Sequence, residues 1–465
     1  MGEQSKLAYA RKAVWEHLNG QEKQEVMNIG EDYKGFLARA KTERELAVLI
    51  KEFAEKRGFV PLDACSEPVK PGDKIYRVVR GKSVLMAVAG EQPLSEGANV
   101  IGAHVDSPRL DLKVHPLCED EGLALLKTHY YGGIKKYHWL ALPLALHGVI
   151  YRRDGSGVGV NIGEDVRDPV FTISDLLPHL AKDQMEKKLT EAFPGESLRA
   201  LCGSLPVEDK ALKNRVKENI LRLLHDKYGI EEEDLVSAEL ELVPAIPPRD
   251  VGFDESMVGA YGQDDRACAY AQLRGLAGVT RPLRTAVAIF ADKEEIGSVG
   301  NTGMQSSMFA DFMAELLEKT AGRFNELALR RSLNASRGLS ADVSAALDPG
   351  FAETAEKDNT ARLGCGVVLT KYTGSRGKSG CNDAHAEFLS RVIGRFNERK
   401  VIWQTGELGK VDQGGGGTIA YMMAAHGMDV VDCGVGLLGM HSPFEVSHKA
   451  DLFMMIRGCE AFWSD

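Results

Sequence analysis

The stretch Ala286-Val287-Ala288-Ile289-Phe290-Ala291-Asp292-Lys293-Glu294-Glu295-Ile296-Gly297-Ser298 decides how the chain is read. A short apolar run bounded by charge predicts a strand over Thr285–Ala291 that is buried on both faces. The strand ends in carboxylates. Adjacent glutamates repel unless cations or protons intervene. A strand-end Glu294-Glu295 pair therefore suits two jobs: one carboxylate binds a metal, and the other takes a proton from activated water. A solvated acidic turn is the ordinary alternative. The same pattern recurs upstream, where a strand over residues 98–103 runs into Ile101-Gly102-Ala103-His104-Val105-Asp106-Ser107-Pro108. Open α/β sheets bind ligands beyond the carboxyl ends of their strands. His104 there could ligate a metal with Asp106 orienting its ring, or the two could simply bond to each other.

On both sides of this stretch, helices alternate with strands. A helix over residues 264–276 precedes the strand at 285–291, and a helix over 307–317 follows it. A strand at 366–369 leads to a helix over 383–396. A helix over 417–426 leads to a strand at 429–433. This alternation implies an α/β fold, a mixed central sheet flanked by helices. The first 60 residues read as helical. Thr42-Glu43-Arg44-Glu45 is a capping box, and Gly58 can end that helix. Residues 107–248 differ in texture, with short strands at 149–151, 158–162 and 171–173 and a highly charged segment from 182 to 234. Pro244, Pro247 and Pro248 close the stretch. Residues 1–106 and 249–465 are thus expected to form one domain, and 107–248 a smaller, β-rich inserted one.

Three weaker motifs also place an acid or a histidine in loops that flank α/β elements. Gly262-Gln263-Asp264-Asp265-Arg266 precedes an Ala-rich helix, where a carboxylate caps the helix or bridges two cations. Ser340-Ala341-Asp342 and Gly439-Met440-His441-Ser442-Pro443-Phe444-Glu445 complete the set. Oxygen and imidazole donors without thiolates fit a hydrolytic zinc, cobalt or manganese site better than a structural zinc.

Composition bounds the rest. The 465 residues are 44% apolar and 27% charged, with a net charge of −10. That excess of acid argues against nucleic acid or an anionic membrane as main partner. No apolar run reaches the ~18–20 residues of a membrane span, and the polar N-terminus does not read as a signal peptide. The expected compartment is the cytoplasm. None of the eight cysteines forms a C-x-x-C pair, so free thiols are expected rather than disulfides or a thiolate zinc site. Gly377-Lys378-Ser379 is not a P-loop, because Tyr372 stands where the first glycine is required. The H-E-x-x-H and G-x-S-x-G patterns are both absent.

Five motifs in one order, "GAHVDSPRLDLK", "GQDDRA", "DKEEIGS", "SADVSAALDP" and "GMHSPFEV", resemble the aspartyl aminopeptidase family within the di-metal aminopeptidases. The resemblance covers essentially the whole chain. It implies two divalent ions, zinc with cobalt or manganese as alternatives. His104 and Asp342 would hold one ion, Glu295 and His441 the other, and Asp264 would bridge them. Glu294 would be the general base, and Asp106 would orient His104. The insertion would be a dimerisation domain, and the subunits would build a tetrahedral dodecamer. His179, in "LLPHLA", would reach a neighbouring subunit's site to help bind the scissile carbonyl. Lys371, with Lys378 in reserve, would select acidic side chains. The expected activity is removal of acidic N-terminal residues from peptides. The alternatives are a neutral or broad preference, or a non-catalytic scaffold that keeps the fold. In one place the chain departs from the family's frequent Asp-x-Ala-His, reading Asp342-Val343-Ser344-Ala345.

Overall fold

A computed structural model describes residues 7–374 and 376–464. The chain divides into two compact units. One contains the described residues up to Asp106 together with Pro248–Met440 and the segment from Glu445 on; the other contains Ser107–Pro247 and His441–Phe444.

The first unit is built on a nine-stranded mixed sheet. Its strand order is Val60–Pro61, Lys74–Val79, Ser83–Val88, Thr285–Ala291, Ala98–His104, Arg337–Ala341, Asp429–Gly434, Val367–Thr370 and Trp403–Thr405. The apolar runs predicted as buried strands alternate between two cores. Ala286, Ala288 and Phe290 enter one, with Val84, Met86, Ile101 and Ala103. Val287, Ile289 and Ala291 enter the other, with Leu85, Ala87 and Val100. Period-two alternation across a doubly covered sheet makes every position apolar. Each large side chain so buried contributes about 1.5–3 kcal/mol. Helices Gln263–Gly278 and Lys449–Trp463 contribute to the first core, and Met308–Ala321 to the second.

Local signals act where they were expected. Thr42 and Glu45 form the reciprocal capping box that starts helix Glu43–Lys56. The helix of the GQDDRA motif starts at Gln263, but Asp264 and Asp265 themselves have non-helical backbone angles. The helix over 417–426 shortens to Ala420–Ala424.

The second unit holds a six-stranded antiparallel sheet in the order Gly157–Ile162, Leu144–Tyr151, Glu239–Pro244, Arg109–Asp120, Leu123–Tyr131 and Arg199–Gly203. Helix Arg215–Tyr228 packs Ile220 where a Cβ on Gly203 would lie, 2.6 Å from its tip. The strand expected at 171–173 reduces to single bridges, Phe171 to Leu144 and Thr172 to Leu201.

Candidate metal centre

Register brings the acidic motifs together. The strands Thr285–Ala291 and Ala98–His104 run parallel with Ala291 level with His104. Arg337–Ala341 continues the parallel set with Ser340 level with Gly102. His104, Asp292 and Asp342 therefore emerge at the same edge of the sheet. The start of helix Gln263–Gly278 meets this edge. Its first amides, on Gln263 and Asp264, both donate to Glu445 Oε2, at 2.6 and 3.2 Å.

Around His104 the donors converge. Its Nε2 lies 3.1 Å from Asp264 Oδ1 and 3.8 Å from Asp342 Oδ1. Its backbone amide donates to Asp265 Oδ2 at 3.4 Å. Ligand atoms of His104, Asp264 and Glu295 lie within 4.8 Å of one another, as do those of His104, Asp265 and Asp342. His104 Nδ1 is 3.0 Å from the Asp106 carbonyl and 3.4 Å from its carboxylate. A ring that donates through Nδ1 keeps the Nε2 lone pair for a cation. The Asp106 carboxylate has a second task, accepting the amides of Glu294 and Glu295 at 3.1 and 3.2 Å. One aspartate thus holds both the imidazole and the acidic turn.

These residues fit a cation site. Four carboxylates and one imidazole share a mostly buried cluster. Burial, and then the charge of Asp265, push Asp342 well above the usual carboxylate range. Burial does the same for Asp265, whose Oδ1 is enclosed without a hydrogen-bond partner. For His104, burial opposes protonation, but Asp106, Asp264 and the charges of Asp342 and Glu294 outweigh it and raise its pKa well above the ordinary value. A cluster that grips protons this strongly grips divalent cations by the same field.

His441 belongs to the second unit, where its Nδ1 lies 2.7 Å from the Gly133 carbonyl. That bond again leaves Nε2 as the acceptor nitrogen. His179 is exposed on the turn Pro178–Leu180, between Leu177 at 52% exposure and Leu180 at 68%. Lys371 and Lys378 both pair with Asp383, at 2.6 and 3.0 Å. Strand Val367–Thr370 runs antiparallel to Asp429–Gly434, with Thr370 level with Asp432, whereas Ala341 is level with Cys433. Lys371 therefore leaves the sheet towards the end opposite to Asp342. Asp265 and Glu445 were not among the expected site residues. Asp265 joins the cluster, and Glu445 clamps the amides that carry Asp264. The doubled aspartate in GQDDRA was a signal for the first. The second had none beyond its place after His441, because its contact spans 182 positions.

Comparison with known proteins agrees with this chemistry. Residues 36–463 match the family model for aminopeptidase I zinc metalloproteases (M18). A probable M18 family aminopeptidase 1 of Clostridium acetobutylicum is 51% identical over 454 residues, covering 97% of both chains. The crystal structure of an M18 aminopeptidase from Thermotoga maritima superimposes with a TM-score of 0.94 at 47% identity, covering 98% of this chain and 99% of that one. The mApe1 dodecamer of S. cerevisiae shares the fold, with a TM-score of 0.74 at 20% identity over 94% of this chain and 97% of that one. The chain belongs to the M18 family and is a metalloaminopeptidase.

Proposed function

We propose that the His104 cluster hydrolyses the N-terminal residue from peptides, with His104 and Asp342 holding one divalent ion, Glu295 and His441 a second, and Asp264 shared between them. The observation that carries this reading is the convergence of four carboxylates on one imidazole at a strand edge. Bound cations would polarise the scissile carbonyl and acidify the attacking water. The chain's own part is then positional. Glu294, its amide held by Asp106, accepts a proton from water and returns it to the leaving amine. Asp106 keeps the His104 ring in the ligating orientation. His179 of another copy of the chain would stabilise the oxyanion, which makes self-association through the second unit, into dimers and a tetrahedral dodecamer, part of the proposal. The exposed leucines beside His179 support such a contact. Eight free cysteines support a cytoplasmic location. Among the described residues, no helix is long and apolar enough to cross a membrane.

Acidic first residues are the expected substrates, with Lys371 and Lys378 as the selecting cations. A second reading, neutral or broad preference, is favoured by the pairing of both ammonium groups with Asp383 and by the direction in which Lys371 leaves the sheet. A panel of aminoacyl chromogenic substrates, assayed with and without chelator and with zinc, cobalt and manganese restored, tests both. Chelator-resistant turnover would overturn the metal-dependent reading. Faster release of Leu or Ala than of Asp or Glu would select the second preference.

A further inference from the structure

The turn that carries Glu294 and Glu295 is held from two sides. Asp106 takes the amides of the two glutamates. On the other side lies a closed set of hydrogen bonds that involves neither of them. Thr302 Oγ1 donates to Asp292 Oδ2 at 2.6 Å. The Asp292 amide donates to Ser83 Oγ at 3.1 Å, and Ser83 Oγ donates to the Thr302 carbonyl at 2.7 Å. All three residues are at most 1% exposed. Ser83 opens a strand of the central sheet, so the loop ends are fastened to that sheet.

The loop between these ends needs fastening. Lys293 and Ser298 adopt positive φ, at 66° and 57°, a conformation disfavoured for residues that carry a Cβ. Such backbone persists where the surroundings over-determine it. The Ser298 amide donates to the Lys293 carbonyl at 2.6 Å, so the Glu294-Glu295 turn closes on itself above the Asp292–Thr302 pair. A shift of Asp292 would move the turn as a body.

We infer that Thr302 is a positioning residue: its hydroxyl, through Asp292, and its carbonyl, through Ser83, fix the turn that presents Glu294, and so govern turnover without touching substrate. This rests on the base and ligand roles proposed above. A misplacement on the order of 1 Å costs about a hundredfold in rate, so Thr302→Val is expected to lower kcat about tenfold to a hundredfold, with KM nearly unchanged. Thr302→Ser, which keeps the hydroxyl, is expected to restore most of it. Metal content, measured by elemental analysis on the same preparations, is expected to stay at the wild-type level. Wild-type kcat in Thr302→Val would overturn the inference. So would equal losses in the Val and Ser variants, or a loss that tracks missing metal and is reversed by adding it. Should Thr302→Val not yield folded protein, Ser83→Ala replaces it, with the same expected loss and the same overturning result. Glu294→Gln, assayed alongside, separates the two levels. If Glu294→Gln is active, the proposed base is wrong; if Glu294→Gln is dead beside a fully active Thr302→Val, only the brace is wrong.

Discussion

The two units bury charge in opposite ways. In the second unit, a polar row crosses the sheet with Asn161, His147, Glu241, Asp111 and His129 level with one another. Its acids meet basic partners. Arg109 reaches Asp111 at 2.8 Å and Glu241 at 3.2 Å, and His147 reaches Glu164 at 3.0 Å. In the first unit, four carboxylates surround a single imidazole. A row whose buried Glu241 carries its own counter-charge holds a sheet together, and an excess of one sign calls for ions from outside. The comparison separates an architectural cluster from a chemical one without reference to sequence similarity.

Removing the proposed base should have the largest effect. Glu294→Gln should lower kcat by about 10²–10⁴-fold while elemental analysis finds normal metal, because the role proposed for this glutamate is to take a proton and not to hold an ion. A variant with wild-type kcat would return the acidic turn to a structural role. Metal removal tests the charge argument itself. Ligand excess of about 100–1,000 Kd stabilises a folded state by roughly 3–4 kcal/mol. Chelation should therefore lower hydrogen-exchange protection around residues 262–266, 292–296 and 340–344, and leave residues 144–151 unchanged. Equal loss in both regions would show that the ions do not act on the cluster alone.

The architectural side predicts a different response. Removing one partner of a buried pair costs about 3–5 kcal/mol. Arg109→Met should fall at the lower end, since Asp111 is 37% exposed. Replacing Glu241 by Leu in the same chain should recover most of that loss in denaturant titration, as expected of a self-neutralising pair. No recovery would mean that Arg109 acts through its other contacts, such as the Tyr131 ring 3.9 Å away.

The smallest effect concerns a buried acid held by amides alone. Asp451 accepts the amides of Gly364 and Gly366 at 2.7 and 2.6 Å, yet burial pushes it up to about 7 from 3.8. Between those two values the folded chain keeps a proton that the unfolded chain has lost. Stability from this group therefore falls as pH rises through that window and is level above it. Asp451→Asn cannot ionise, so its melting midpoint relative to wild type should improve between pH 5 and pH 8. A constant difference across that range would mean that the amides already hold Asp451 ionised.

Much of the site was legible because its signals are local. A strand buried on both faces announces itself as an unbroken apolar run, and a carboxylate or histidine just past its end stands out against that run. His104, Asp292, Glu294 and Glu295 follow this pattern, whereas Asp342 ends the strand Arg337–Ala341, in which Arg337 and Ser340 break the apolar run. What stayed hidden depends on partners far away in sequence. Asp106 reads as a companion of His104 two residues back, yet its carboxylate holds amides 188 and 189 positions later. Lys371 and Lys378 read as available cations until the fold sets Asp383 between them.

Sequence alone determined the α/β alternation, the charged strand ends and the absence of thiolate pairs, because periodicity, local charge and residue type are properties of short windows. Only the tertiary structure decided which carboxylates share one imidazole, which amides Asp106 and Glu445 hold, and which lysines are neutralised. Those outcomes depend on strand register and on contacts between segments up to some 200 residues apart, where a shift of one position would turn each side chain to the other face of the sheet.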